Sequence, residues 1–182
     1  MEMQDFILAS ASPQRLALLA QVGYKPKKVV PADIDESVYK YENPTAYVKR
    51  MALEKAKKVA EKMPDENVLS GDTVVCVGRR ILHKARSKEE QTAAMNLLSG
   101  RSCRVISAVC LVDRNGRTAQ KCVVSRVVTK KLTAKEIRDY VVDQVGEDAT
   151  VILLCWEKDP GNCHRGMLSV LFGEESKGEY PT

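Results

Sequence analysis

Two hydroxyls, a proline and an arginine close an apolar run in Ile7-Leu8-Ala9-Ser10-Ala11-Ser12-Pro13-Gln14-Arg15. Ser12 is a natural N-cap and Pro13 suits the first helical position, where its missing N–H costs nothing. The helix start therefore offers free backbone N–H groups and partial positive charge to an anion, with Ser10, Ser12 and Arg15 placed to assist. A capped helix with one surface arginine accounts for the same residues, so further groups must bear on the choice. Asp72 is one: it puts a carboxylate inside the otherwise apolar pattern from Val68 to Val77, where it must meet a cation, a metal ion or a set of donors. Its neighbour Gly71 leaves room for a ligand near the backbone. Lys55, beside an apolar helical stripe, either snorkels to solvent or carries its ammonium into a cleft. Lys84 follows a short return strand and falls near Asp72 across the hairpin. Asp35 and Glu36, in the turn Ala32-Asp33-Ile34-Asp35-Glu36, are placed to hold a metal or a hydroxyl, or are plain loop carboxylates.

The elements that must position these groups follow from periodicity. The spacing predicts helices over 13–22, 45–62 and 87–98, and strands over 28–30, 68–77, 81–82, 104–112 and 121–128. Asp113-Arg114-Asn115-Gly116-Arg117 reads as a hairpin turn of the Asn-Gly type. Thr133 and Glu136 form a capping box that opens a last helix ending at Tyr140-Val141-Val142. Hairpins and helical crossovers both occur, which predicts an α/β protein, one domain with a mixed sheet flanked by helices.

Composition narrows the partners. The chain has 182 residues, 44% hydrophobic and 29% charged, in the range of a globular domain with one substantial core, and no apolar stretch is long enough to span a bilayer. Glu2 and Asp5 stand where a signal peptide carries basic residues, which predicts a cytoplasmic protein without a membrane partner. The six cysteines include no C-x-x-C pair, which argues against structural zinc. The net charge of +5 favours anionic partners. Its lysines and arginines form small clusters such as Lys25-Pro26-Lys27-Lys28, with few aromatics to stack on bases, so nucleic acid is the less favoured anion.

Taken in order, these segments resemble the Maf family of nucleoside triphosphate pyrophosphatases over about residues 6–142. Ser10-Ala11-Ser12-Pro13-Gln14-Arg15 is similar to S-x-S-P-R-R, and the acidic turn 32–36 has a family counterpart. Arg50-Met51-Ala52-Leu53-Glu54-Lys55-Ala56 is similar to R-x-A-x-x-K-A, Gly71-Asp72-Thr73-Val74-Val75 to A-D-T-V-V, Lys84-Ala85-Arg86 to K-P-R, and Leu98-Ser99-Gly100-Arg101 to L-S-G-R.

The resemblance implies an inosine-triphosphatase-like α/β fold. It implies hydrolysis of a nucleoside triphosphate, dTTP- or UTP-like or modified, to the monophosphate and pyrophosphate with a divalent cation, magnesium or manganese. Ser10, Ser12 and Arg15 would hold phosphate oxygens; Lys55 and Lys84 would neutralise developing charge; Asp72 would orient or deprotonate the attacking water, directly or through the metal; Asp35 and Glu36 would position substrate or metal. Thr73 goes with the family branch acting on dTTP and UTP, and a homodimer is implied by the family's frequent dimers. Departures point to the alternative, a catalytically impaired nucleotide- or RNA-binding protein. Gln14 replaces an arginine, Gly71 an alanine, Ala85 a proline, and Cys103 a histidine. The family's K-A-G-x-Y-x-I-Q-G and G-S-Y-x-N-V-V-G-L-P are not found after Tyr140. The segment 143–182 instead resembles a different family of small α/β domains with an L-L-C-x-E-K-x-P-x-x-C-H-R signature, and either completes the same domain or packs poorly. Within it, Cys163-His164-Arg165 at a short helix start is a further anion-binding candidate.

Overall fold

A computed structural model describes residues 5–83, 85 and 87–144. Strand β1 (Phe6–Ala9) leads into helix α1 (Pro13–Gln21), and the chain returns as the short strand β2 (Lys28–Val29). Helix α2 (Pro44–Ala60) crosses to β3 (Asn67–Val77), which turns back through β4 (Arg80–Leu82). Helix α3 (Lys88–Leu98), the hairpin β5 (Ser102–Val112) and β6 (Thr118–Val128), and helix α4 (Ala134–Gln144) complete the described chain. The sheet order is β2-β1-β3-β5-β6, with β4 beside β3. β1 runs parallel to β2 and β3, whereas β3–β5 and β5–β6 are antiparallel, so the sheet is mixed as expected.

Alternation along the central strands divides the core between the two faces. Ile7, Ala9, Val68, Val74 and Cys76 pack against Val48, Met51, Ala52 and Ala56 of α2. Phe6, Leu8 and Leu69 face the other way and pack with Leu19 of α1 and Tyr24. Consecutive side chains on a strand point to opposite faces, so each strand feeds both cores. The buried Ser70 hydroxyl donates to the Ala52 carbonyl and fastens α2 to β3 at the level of the site.

Sequence-encoded stops set the element ends. Ser12 caps α1 by accepting the Arg15 N–H, and the helix closes where Gly23 adopts φ +82°. There Tyr24 N donates to Leu19 O and Gly23 N to Ala20 O, the paired bonds that end many helices. The capping box at α4 forms as read, with Thr133 N donating to Glu136 and Glu136 N donating to the Thr133 hydroxyl. The β5–β6 turn differs from the two-residue Asn-Gly form: Gly116 N donates to Asp113 O, and Gly116, at φ +75°, is the left-handed residue there. Asp113 explains the difference, because its Oδ1 accepts from Asn115 N and Arg117 N and holds a longer turn.

Candidate functional site

The N-terminus of α1 lies just beyond the end of β1 and gathers the predicted phosphate ligands. Ser10 Oγ accepts from the backbone N of Ser12 and from the Arg15 guanidinium. Ser12 Oγ accepts from Arg15 N at 3.4 Å and donates to Gln14 Oε1 at 3.0 Å. Gln14 therefore occupies a hydroxyl that an arginine, having no acceptor, would leave to a ligand. Arg15 packs close to β3: a Cβ on Gly71 would stand 3.2 Å from its Nε. Burial lowers the Arg15 pKa, opposed by the nearby charges of Asp72 and Glu36.

A cation between two carboxylates forms the second half of the site. Lys55 Nζ stands 2.8 Å from Asp72 Oδ1 and 2.7 Å from Glu36 Oε1. The Lys55 and Asp72 side chains are 13% and 14% exposed, so this pair is held away from bulk water, whereas Glu36 is 58% exposed. Burial raises the Asp72 pKa; Lys55 and Arg15 pull against that shift, while Glu36 adds to it. The carboxylate expected from sequence to need a partner thus has two cations within electrostatic reach.

The structure separates the two acidic residues of the 32–36 turn. Glu36 reaches Lys55, whereas Asp35 turns into its own loop and accepts from Ser37 N and Oγ, both at 2.9 Å. Thr73 follows Asp72 on β3 and so faces the opposite side of the sheet, where its hydroxyl meets Ser107 Oγ at 2.9 Å. Lys84, the third predicted cation, lies outside the described residues, as do Arg86 and Cys163-His164-Arg165.

Two residues that sequence reasoning did not single out for the site hold the acidic segment against α2. The Tyr47 hydroxyl donates to Glu36 O at 2.8 Å, and burial pushes its pKa up to about 12. Arg50 grips Glu42 with two bonds of 2.7 Å and donates to Ser37 O at 2.8 Å, and its guanidinium lies 3.7 Å from the centroid of the Tyr39 ring. Tyr47, Arg50, Glu54 and Lys55 occupy one side of α2 at helical spacing, the one signal in the sequence that ties them together.

Among the described residues no trio of metal-ligating side chains is gathered. The Asp72 and Glu36 carboxylates, bridged by Lys55, nevertheless suit a hard cation that takes one or two protein carboxylates and completes its shell with substrate phosphates.

A family model described as Maf-like protein matches residues 5–150. A dTTP/UTP pyrophosphatase of Zymomonas mobilis is 50% identical over 137 residues, covering 75% of this chain and 68% of that protein. One of Caulobacter vibrioides is 48% identical over 135 residues, 74% of this chain and 70% of that protein. A nucleoside triphosphate pyrophosphatase of Ehrlichia canis is 44% identical over 141 residues, 78% of this chain and 73% of that protein. Among solved structures, a HAM1 protein from Coxiella burnetii has a TM-score of 0.49 at 14% identity, covering 92% of this chain and 98% of that one. The family match includes the α1 entrance, the acidic turn, Lys55 and Asp72, and the chain belongs to the Maf-like family.

Proposed function

We propose that this chain hydrolyses a nucleoside triphosphate to the nucleoside monophosphate and pyrophosphate, with dTTP and UTP as its substrates. The single observation that carries the reading is the enclosed Lys55–Asp72 pair, set beside Arg15 and the N-terminus of α1. The substrate preference draws on the names of the relatives from Zymomonas mobilis and Caulobacter vibrioides.

Each group then has a task. The partial positive charge at the start of α1, with Ser10, Ser12 and Arg15, binds phosphate oxygens and fixes the triphosphate in line for attack. Lys55 holds Asp72 Oδ1, which leaves Oδ2 to take a proton from the attacking water. The water oxygen bonds to the α-phosphorus as the bond from that phosphorus to the bridging oxygen breaks. Pyrophosphate departs with the electron pair, and the proton rests on Asp72. A raised pKa brings Asp72 closer to the range in which a carboxylate is an effective base. Arg15 and Lys55 supply fixed positive charge where negative charge grows. A bound magnesium or manganese ion, held by Asp72 and Glu36 with phosphate oxygens, would neutralise further charge on the triphosphate. Residues 1–142 carry this site, and Lys84 is assigned to the phosphates with Lys55.

Pyrophosphate release from a panel of dTTP, UTP, 7-methyl-GTP and the common triphosphates tests the reading. Turnover of dTTP or UTP that falls about 10²- to 10⁴-fold in Asp72→Asn, with nucleotide binding retained, is the expected result. No turnover from folded protein overturns it. In that case the engagement of Ser12 by Gln14 favours the second reading, a nucleotide- or RNA-binding protein without catalysis.

A further inference from the structure

Resting on the pyrophosphatase reading, we infer that Arg50 is a positioning residue: its grip on the 37–42 segment holds Glu36 against Lys55. Three points along residues 36–42 are tied to one helical face. Tyr47 fixes the Glu36 carbonyl, Arg50 fixes the Ser37 carbonyl, and the same guanidinium grips Glu42 through both carboxylate oxygens. The Arg50 and Glu42 side chains are 16% and 9% exposed, far less than an ordinary surface pair, and the Tyr39 ring covers the guanidinium at 3.7 Å. Arginine alone among the cations offers this planar fork together with a stacking face.

The grip is needed because the segment it holds is conformationally costly. Tyr39 and Glu42 close a tight turn, with Glu42 N donating to Tyr39 O and Tyr39 N donating to Glu42 Oε2. Inside that turn Tyr41 sits at φ +67°, a left-handed conformation that a residue with a Cβ disfavours, and the residue is 92% exposed, so its own packing does not hold it there. Glu36, itself 58% exposed, is likewise not held by burial. Its position on Lys55 follows from the backbone being pinned at Glu36 itself and just after it, by Tyr47 at residue 36 and by Arg50 at residues 37 and 42.

Kinetics and amide hydrogen exchange on Arg50→Lys and Glu42→Gln, compared with Glu36→Gln, test the inference. In Arg50→Lys and Glu42→Gln the Tyr39 and Glu42 amides should exchange at least about ten-fold faster, while core amides of β3 and β5 keep their rates. Turnover should fall about ten-fold or more, chiefly in kcat. Glu36→Gln should lower turnover to a similar level with the loop amides unchanged, and Arg50→Lys added to Glu36→Gln should cost less than two-fold more. A merely structural Arg50 would add its full loss to that of Glu36→Gln, and that outcome overturns the inference. Unchanged loop exchange in both Arg50→Lys and Glu42→Gln overturns it as well. Wild-type protein without turnover defeats the pyrophosphatase reading alone, because the exchange comparison reads the grip without substrate.

Discussion

At Asp72, burial and pairing pull in opposite directions, and burial wins: the pKa is raised despite Lys55 at 2.8 Å. The folded protein then holds its proton to higher pH than the unfolded chain does, whose aspartates titrate near about 3.9. Stability contributed by this group is therefore complete at low pH and declines as pH rises from the unfolded pKa through the folded one. Asp72→Asn should remove that decline and raise the melting temperature at pH 7, because Lys55 keeps Glu36 as its partner. Lys55→Met should do the reverse, destabilising by about 3 kcal/mol at pH 7 by leaving an enclosed carboxylate without the cation that hydrogen-bonds it. Thermal unfolding of both variants from pH 4 to 8 checks the pair of signs. Gln14→Arg addresses the other half of the site: it frees the Ser12 hydroxyl and adds a charged donor, and should lower KM for dTTP about ten-fold. Asp72, Lys55 and Arg15 were legible because each breaks the pattern around it. Arg50 and Tyr47 were not, since nothing local says that Arg50 meets Glu42 eight residues back or that Tyr47 meets the Glu36 carbonyl.

Among the elements, β3 bears on both halves of the site, since Asp72 faces α2 and Gly71 faces α1. Strand periodicity and capping residues announced this arrangement: Ser12 with Pro13 and Thr133 with Glu136 both stand at the starts they encode. The turns were less legible, because Asp113 recruits two backbone donors and sets a longer connection than Asn115-Gly116 suggested. Gly71 shows why sequence pattern falls short at close quarters. A Cβ there would lie 3.1 Å from Ala108 O on β5 and 3.2 Å from Arg15 Nε, so the strand pair and the arginine side chain share one small space. The β3–β5 ladder is continuous around Gly71, so the Ala108 carbonyl must give by a few tenths of an ångström, while the arginine side chain can yield further. Gly71→Ala should therefore cost about 1–3 kcal/mol of stability. It should displace the Arg15 guanidinium by a few tenths of an ångström and raise KM several-fold while kcat changes less. A KM left at the wild-type value would show that Arg15 is not held by this contact.

For the whole molecule, connectivity explains where the site lies. The chain leaves β1 along one face through α1 to β2, then crosses by α2 on the other face to β3, on the far side of β1. Crossovers that diverge onto opposite faces leave a crevice beyond the carboxyl ends of the parallel strands, the place where α/β sheets bind ligands. Ser10 and the start of α1 stand at that end of β1, with Lys55 and Asp72 alongside. A triphosphate seated there would contact α1, α2 and β3 together, so binding energy should appear as stability of the entire domain. At a hundred-fold excess over Kd, a non-hydrolysable α,β-substituted dTTP analogue should add about 2.7 kcal/mol, or roughly 5–10 °C in melting temperature for a chain of this size. Arg15→Ala should abolish most of that rise, since the guanidinium leaves Ser10 and the α1 entrance together. Single-stranded RNA at the same phosphate concentration should produce little, because the +5 charge is dispersed and aromatic platforms are few. If RNA instead matched the analogue and its effect collapsed between 50 and 200 mM salt, the crevice would be reading polyanion charge in place of a triphosphate, and the binding-protein reading would prevail.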